Sequence, residues 1–296
     1  MSTTIVPHSL KDAPSLIERV WPAIQISVES EVERGAGRGQ TLPALGGYWK
    51  GRKPLILVRA CVLGALLPAT DNPAEDLAIF EALMQIDDDA FVDRAVNLKV
   101  GGYARLVVEA GISEQRLRKY LVPKLAKNSD KGAIPTLIES IGSGRVAWHP
   151  DLTPADKRHF QSEVLSHQPY ADKIRLSVRP EELGAGPNSA VWTRANRHLG
   201  THATALAELV HQLGIMRFGL RPVVADTFAG GGSIPFESAR TGADVYASDL
   251  NPVACMLTWG GLNIIGAPPS EREAINAAQA HVAAAVQECS PSAPMA

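Results

Sequence analysis

Cysteine and aromatic residues are scarce in this chain, and neither sign of charge is in clear excess. Its 296 residues include three cysteines, Cys61, Cys255 and Cys289, and none of them forms a C-x-x-C pair. This pattern argues against a zinc ribbon or a thioredoxin-like motif. Cysteines so widely spaced in a chain of this length are typical of a reducing compartment rather than of a disulfide framework.

Long apolar runs are missing as well. The longest apolar stretch, 54–68, is interrupted by Arg59 and is too short to span a bilayer. Residues 1–10 contain no apolar segment behind a charged start, which argues against a signal peptide. We therefore expect a cytoplasmic protein without a membrane segment. Because the formal net charge is −2, a surface that binds nucleic acid would have to be a local basic patch.

The remaining composition, 45% hydrophobic and 20% charged, suits a folded globular protein. In the first half, apolar residues with helical spacing predict helices over 15–33 with a kink at Pro22, 54–67, 75–86 and 114–127. Prolines then interrupt the pattern, which indicates a connecting region. The predicted organisation is a mainly helical N-terminal domain (1–141), a proline-rich connector (142–190), a second domain (191–289) and a disordered tail (290–296).

The second domain alternates helical and strand-like segments. Its predicted elements are a helix over 201–213 ended by Gly214, a strand over 222–226, a glycine turn at 230–232, a helix over 233–241, a strand over 243–249 and helices over 251–265 and 271–288. Strand, glycine turn, helix, strand and helix in this order open a doubly wound α/β sheet.

Acidic residues stand at the ends of both predicted strands. Asp226 ends the first strand and Asp249 ends the second, while Gly230, Gly231 and Gly232 follow the first strand. Open α/β sheets bind ligands at the carboxyl ends of their strands. Glycine has no Cβ, so the backbone can turn tightly here and approach a ligand closely. The Asp249 carboxylate is suited to accept hydrogen bonds from both hydroxyls of a ribose.

This pattern differs from a dinucleotide site. A nicotinamide-binding turn has the form G-x-G-x-x-G, with a pyrophosphate at the helix N-terminus. Here Pro235 stands where the third glycine belongs, and Asp226 precedes the first glycine by four positions. A carboxylate there would repel a pyrophosphate but suits a ligand with a cationic amino group, such as S-adenosylmethionine. The pattern favours a methyl donor over a dinucleotide, and a glycine turn that only joins strand to helix is the structural alternative.

Two stretches carry a resemblance to a known family. Residues 226–237 read Asp-Thr-Phe-Ala-Gly-Gly-Gly-Ser-Ile-Pro-Phe-Glu, and residues 246–254 read Tyr-Ala-Ser-Asp-Leu-Asn-Pro-Val-Ala. They resemble the first motifs of large adenine-specific DNA methylases that carry an N-terminal domain of unknown function. Residues 48–55, Tyr-Trp-Lys-Gly-Arg-Lys-Pro-Leu, are similar to that N-terminal domain. The resemblance implies an α/β fold in which a mainly helical N-terminal domain precedes a partial class I, Rossmann-like methyltransferase sheet.

The same resemblance implies roles for individual residues toward S-adenosylmethionine. Asp226 would face the methionine amino group, and Asp249 would hold the ribose. The floor of the site would be formed by Phe228, Ala229, Gly230, Gly231 and Gly232, the adenine side by Leu250 and Asn251, and an extra contact at the methionine end by Thr201.

The catalytic residues are left unassigned by the sequence. DNA amino-methylases use an (Asp/Asn/Ser)-Pro-Pro-(Tyr/Phe) loop that binds and stacks on a flipped base. Pro268 and Pro269 follow Ala267 and precede Ser270, so they do not form this loop. We expect an N-terminal fragment of a DNA methyltransferase that targets adenine N6 and whose catalytic loop lies in a downstream segment or a second polypeptide. RNA or another amine is a rival substrate, and a non-catalytic DNA-binding or scaffold subunit with a vestigial cofactor pocket is the alternative function.

Charge runs and histidines give weaker signals. Basic residues cluster in two runs that could contact phosphates, namely Lys50, Arg52, Lys53 and Arg59, and Arg116, Arg118, Lys119, Lys124, Lys127 and Lys131. For a charge run alone, a solvated helix face is the favoured explanation. His198 and His202 are four positions apart but lack the glutamate of H-E-x-x-H, so no metal site is expected.

Overall fold

The computed structural model of the chain describes residues 4–35, 52–109, 111–124, 136–184 and 186–289. Helices dominate these residues, and two small sheets accompany them, so the fold is mixed and mainly helical. No helix within the described ranges combines the length and apolar character needed to cross a membrane. The predicted tail at 290–296 lies outside the described residues.

The first part of the chain is helical, as its periodicity predicts. Its helices are α1 (Leu16–Arg19), α2 (Ala23–Gly35), α3 (Leu55–Leu66), α4 (Pro73–Met84), α5 (Asp88–Arg94), α6 (Val100–Glu109) and α7 (Glu114–Leu117). The predicted helix over 15–33 is two helices, since Pro22 cannot donate a backbone hydrogen bond and the chain leaves the helix at Val20. Helix α3 is buried on nearly all sides, which explains its lack of polar residues apart from Arg59.

The middle of the chain contains a small antiparallel sheet among helices. Its elements are β1 (Leu121–Pro123), α8 (Leu137–Gly142), β2 (Val146–Trp148), α9 (Pro154–Ser166), α10 (Tyr170–Arg175) and a 3₁₀ turn (Pro180–Leu183). The prediction of a basic helix over 114–127, with a break only at Pro123, is wrong for the described residues up to 124. The helix ends at Leu117, and Leu121 then pairs with Trp148 in the sheet.

A hydrophobic core joins this middle part to helices α5 and α6. It is built from Phe91, Tyr103, Leu121, Phe160, Ile174 and further buried residues, all between positions 91 and 174. Residues 142–190 contribute Val146, Phe160, Val164, Leu165 and Ile174 to it. The segment is therefore a packed part of the fold, in contrast to the connector expected from its prolines. Proline does not prevent this, because Pro154 stands at the first position of α9, where proline is tolerated.

The last part of the chain contains the predicted strands. Its elements are α11 (Ser189–Leu199), α12 (Leu206–Phe218), β3 (Val223–Asp226), α13 (Ser233–Arg240), β4 (Asp244–Ala247), α14 (Pro252–Gly260), a π-helical turn (Gly261–Ile265) and α15 (Pro269–Cys289). Gly214 lies inside α12 and does not end it, contrary to the prediction. Gly219, with φ +78°, ends the helix instead.

Strands β3 and β4 form a parallel pair. Val223 lies opposite Asp244 and Asp226 lies opposite Ala247, and α13 connects the two strands. Among the described residues this sheet has two strands. Val223 and Tyr246 on one of its faces are both 59% exposed. The βαβ order confirms the expected strand–helix–strand arrangement, and the two acidic residues are brought to the same edge.

The other core joins the two ends of the chain. Leu16, Ile56, Leu63 and Phe80 from the first helices pack in one cluster with residues that follow position 190, namely Trp192, Ala195, Leu199, Leu209, Leu213, Met216 and Ala243. The buried Arg217 of α12 strengthens the connection, since its guanidinium donates to the carbonyls of Ala13, Leu66 and Leu67. The helical N-terminal segment and the βαβ unit therefore share a core.

Candidate functional site

The candidate site lies where β3 and β4 end. The backbone N–H of Ser248 donates to the carbonyl of Asp226 at 3.0 Å, and the N–H of Ala229 donates to the carbonyl of Ser248 at 3.0 Å. These bonds continue the pairing of the strands beyond their last residues. They bring the glycine turn that follows β3 beside Asp249, which follows β4.

Asp249 holds the glycine turn through its side chain. Its Oδ2 accepts from the N–H of Gly230 at 2.9 Å, and its Oδ1 accepts from the N–H of Asn251 at 2.8 Å. The hydrogen bonds from Asn251 and Gly230 lower the pKa of this carboxyl. An ionised carboxylate offers about four acceptor positions. Two of them are used by these backbone bonds, so the ionised side chain retains capacity for the hydroxyls of a ligand.

The glycine turn requires glycine at two positions. Gly230 has φ +50° and Gly232 has φ +76°, in the left-handed region. A Cβ on Gly232 would also lie 2.9 Å from the Thr258 hydroxyl on α14. Gly232 is therefore needed both for the turn and for close packing of α14, whether or not a ligand binds.

Asp226 and two apolar side chains near it lie at the carboxyl end of the β3–β4 sheet. The Oδ1 of Asp226 accepts from the N–H of Phe228 at 3.1 Å. Phe228 is 78% exposed and Leu250 is 94% exposed. These side chains are accessible to a ligand, whereas Ala229 is buried beneath the turn.

Two further predicted site residues make local structural contacts. The side-chain oxygen of Asn251 accepts from the N–H of Val253 at 2.9 Å and caps α14, as its position before Pro252 predicts. The buried Thr201 hydroxyl donates to the Asn196 side chain at 2.8 Å. Within the part of the chain that the structure describes, no hydrogen bond joins Thr201 to the glycine turn.

A cavity of about 320 Å³ adjoins the turn. Its walls include Ala229, Ser248, Thr258 and Trp259, so it shares residues with the turn and with the segment before Asp249. Ligand pockets usually have volumes of roughly 300–1,000 Å³. The cavity is at the lower end of this range.

Sequence reasoning missed a buried ion-pair cluster on α13, the helix that follows the turn. Arg59 of α3 donates from Nε to Glu237 of α13 at 2.8 Å and from a terminal nitrogen to Glu181 at 2.6 Å. The phosphate-contact hypothesis is therefore wrong for Arg59, which is buried. Its isolation in an otherwise apolar helix was the available signal, because a buried charge needs a charged partner.

Other charged side chains of the predicted runs are also paired. Arg116 contacts Glu163 at 2.7 Å, and Arg118 contacts Glu114 at 2.6 Å. Lys50, Lys127 and Lys131 lie outside the described residues. In the described ranges, no group of three or more His, Cys, Asp or Glu side chains is placed to hold an ion. His198 contacts the buried Asp76 at 2.6 Å.

Fold and site together define a mainly helical protein with a βαβ unit whose glycine turn is held by an aspartate. Residues 20–83 match the family described as "Protein of unknown function (DUF1156)". This segment contains helices α2, α3 and α4 and therefore Arg59. Searches of curated proteins and of solved structures give no match.

Proposed function

We propose that residues 191–289 bind S-adenosylmethionine and that the chain is the cofactor-binding part of a DNA methyltransferase. The observation that carries this proposal is the bond between the Asp249 carboxylate and the Gly230 N–H at 2.9 Å. It joins the acid after one strand to the glycine turn after the neighbouring parallel strand. Nucleoside ligands of open α/β sheets bind at this edge.

The residues present fit this cofactor. Asp249 retains acceptor capacity for ribose hydroxyls, and Asp226 offers a carboxylate to a cationic amino group. Phe228 and Leu250 are exposed apolar side chains beside both acids. Bound S-adenosylmethionine would supply an electrophilic methyl group. The chain's own contribution is to bind and orient the cofactor, with Gly230–Gly232 allowing close approach of the backbone.

The wider class I sheet and the DNA substrate belong to the same proposal. The support is the family resemblance of residues 226–237 and 246–254, together with the parallel pairing of β3 and β4. Adenine N6 is the proposed target. The base-binding Pro-Pro loop would come from a downstream segment or a second polypeptide, because Ala267 and Ser270 flank Pro268 and Pro269 here.

Calorimetric titration with S-adenosylmethionine tests the proposal directly. The intact chain is expected to bind it and not NAD. Asp249→Ala should weaken binding about 10- to 150-fold, the effect of losing a hydrogen bond to a charged group. Asp244→Ala, at the opposite end of β4 from Asp249, is the control and should bind normally. Binding of NAD, or equal binding by the Asp249 variant, would contradict the assignment.

The alternative is a DNA-binding or scaffold subunit that keeps the turn without using it. The exposed face of the β3–β4 pair favours this alternative, since a parallel sheet is normally covered on both faces. A folded chain that binds duplex DNA but not S-adenosylmethionine would support it. Methyl transfer to DNA after addition of the segment with the Pro-Pro loop would support the methyltransferase.

A further inference from the structure

A buried ion-pair cluster links the N-terminal helices to the helix that begins at the glycine turn. Glu237 of α13 is completely buried. Its carboxylate accepts from Arg59 Nε at 2.8 Å and from Arg240 Nε at 2.7 Å. Glu181, from the 3₁₀ turn, completes the cluster through its contact with Arg59 at 2.6 Å.

The cluster is charged and specific in its geometry. Burial disfavours the charged form of Arg59, but the carboxylates of Glu237 and Glu181 outweigh this effect and raise the pKa of its guanidinium. The guanidinium uses different nitrogens for its two partners. A lysine ammonium cannot reproduce this planar, two-directional arrangement. The position of α13 relative to α3 is therefore fixed by bonds with defined directions.

Helix α13 transmits this position to the site. It extends only from Ser233 to Arg240 and begins directly after Gly232. At a rise of about 1.5 Å per residue, Glu237 is roughly 7 Å along the helix from Gly232. Ser233 and Ser238 are buried together with Glu237, so most of the helix is enclosed by its surroundings. A displacement at Glu237 would move the turn that Asp249 holds.

We propose that Arg59 is a positioning residue for the glycine turn, and that the segment matching the family of unknown function supports the cofactor site through the Arg59–Glu237 pair. This inference rests on the proposed function for its cofactor, but the coupling between Arg59 and the turn can be measured without it. It assigns a role to α3 beyond core packing. Arg59 itself touches no ligand in this proposal.

Paired variants of the intact chain test it. Arg59→Met combined with Glu237→Gln removes the ion pair at similar side-chain volume. Arg94→Met combined with Glu29→Gln is the matched control, because Arg94 and Glu29 form a similarly buried pair at 2.6 Å, and Arg94 contacts Phe91 of the core formed by residues 91–174. The measurements are the dissociation constant for S-adenosylmethionine, the melting temperature and hydrogen exchange of the amides of residues 228–234.

The Arg59 pair variant is expected to weaken S-adenosylmethionine binding about 2- to 30-fold and to speed exchange in the turn. The control pair variant is expected to change the melting temperature only. Arg59→Lys keeps the charge without the fork and should give an intermediate dissociation constant. If the double variant does not fold, Arg59→Lys alone decides.

Unchanged binding and exchange in both Arg59 variants would overturn the inference. Equal effects of the two pairs would also overturn it, because they would reflect a general loss of stability. If the wild-type chain does not bind S-adenosylmethionine, the proposed function fails, and the exchange of residues 228–234 still decides whether Arg59 positions the turn.

Discussion

The Asp249 carboxylate holds the backbone of the glycine turn and, in the proposed function, also binds the ligand at the carboxyl end of the sheet. One oxygen fixes Gly230 at 2.9 Å and the other fixes Asn251 at 2.8 Å. The turn is thus preorganised before any ligand arrives, which reduces the entropy that binding must overcome. The Asn251 side chain likewise accepts a backbone hydrogen bond, from Val253, and caps α14.

The lowered pKa of Asp249 gives a prediction for acidic solution. A carboxyl whose pKa is lower in the folded state stabilises that state above its ordinary pKa, and this contribution is lost as pH falls through the folded-state pKa. The ordinary value is 3.8. The Gly230 amide signal in an NMR titration should therefore change little between neutral pH and that value. Any transition of this signal should have its midpoint below it.

The matched control is Asp249→Asn, in which the titrating group is absent and the Gly230 signal should show no such transition. A midpoint above 3.8 in the folded wild-type chain would mean that the backbone bonds to Asp249 do not form in solution. The structural basis of the candidate site would then be lost with them.

At the scale of elements, α12 lies unusually close to the start of β3. A Cβ on Gly214 would be 2.3 Å from Cδ of Pro222 and 2.8 Å from the carbonyl oxygen of Leu220. Only a glycine permits this approach of helix and strand. The position of β3, and of Asp226 at its end, therefore depends on a residue that helix propensity alone would disfavour.

Alanine substitutions at two helical glycines should have opposite signs. Gly214→Ala should destabilise the protein by about 1–3 kcal/mol, because overpacking outweighs the gain in helix propensity. Gly260→Ala in α14 should be neutral or stabilising by up to about 1 kcal/mol, since nothing lies within 4 Å of its added Cβ. Urea denaturation measures both changes. A stabilising Gly214→Ala would show that α12 and β3 are further apart.

Local signals predicted the elements around the site well. Asn251 and Pro252 predicted the start of α14 because an N-cap bond spans two residues, from Val253 to Asn251. The end of α12 was missed for the opposite reason. Gly214 suggested a helix end, but a glycine is needed there because α12 contacts Pro222, and no local pattern reveals that contact.

At the scale of the whole molecule, the features that the sequence did not predict are those that depend on contacts between residues far apart in the chain. The predicted strand order places Asp249 and the glycine turn at the same end of the sheet, because both follow neighbouring parallel strands. Arg59 and Glu237 are 178 positions apart and meet only through the shared core. The same limit applies to β1, whose strand conformation depends on β2. Residues 142–190 contribute to the core of residues 91–174, although their prolines suggested a connector.

The two cores differ in how they use the chain, and this difference predicts independent folding of one part. Every buried residue of the middle core lies between Phe91 and Ile174. The other core needs Leu63 and Phe80 together with Leu209 and Leu213. A segment of roughly 100 residues with its own core is large enough to fold alone.

We therefore expect residues 85–183 to fold in isolation and residues 1–84 to remain without a cooperative transition. Circular dichroism during heating distinguishes the two outcomes. The isolated middle segment loses Glu29 and leaves Arg94 without its carboxylate partner, so Arg94→Met should raise its melting temperature. Cooperative melting of residues 1–84 would contradict the shared core. In that case the N-terminal helices would be stable without α12, and Arg59 would reach Glu237 across an interface between separate units.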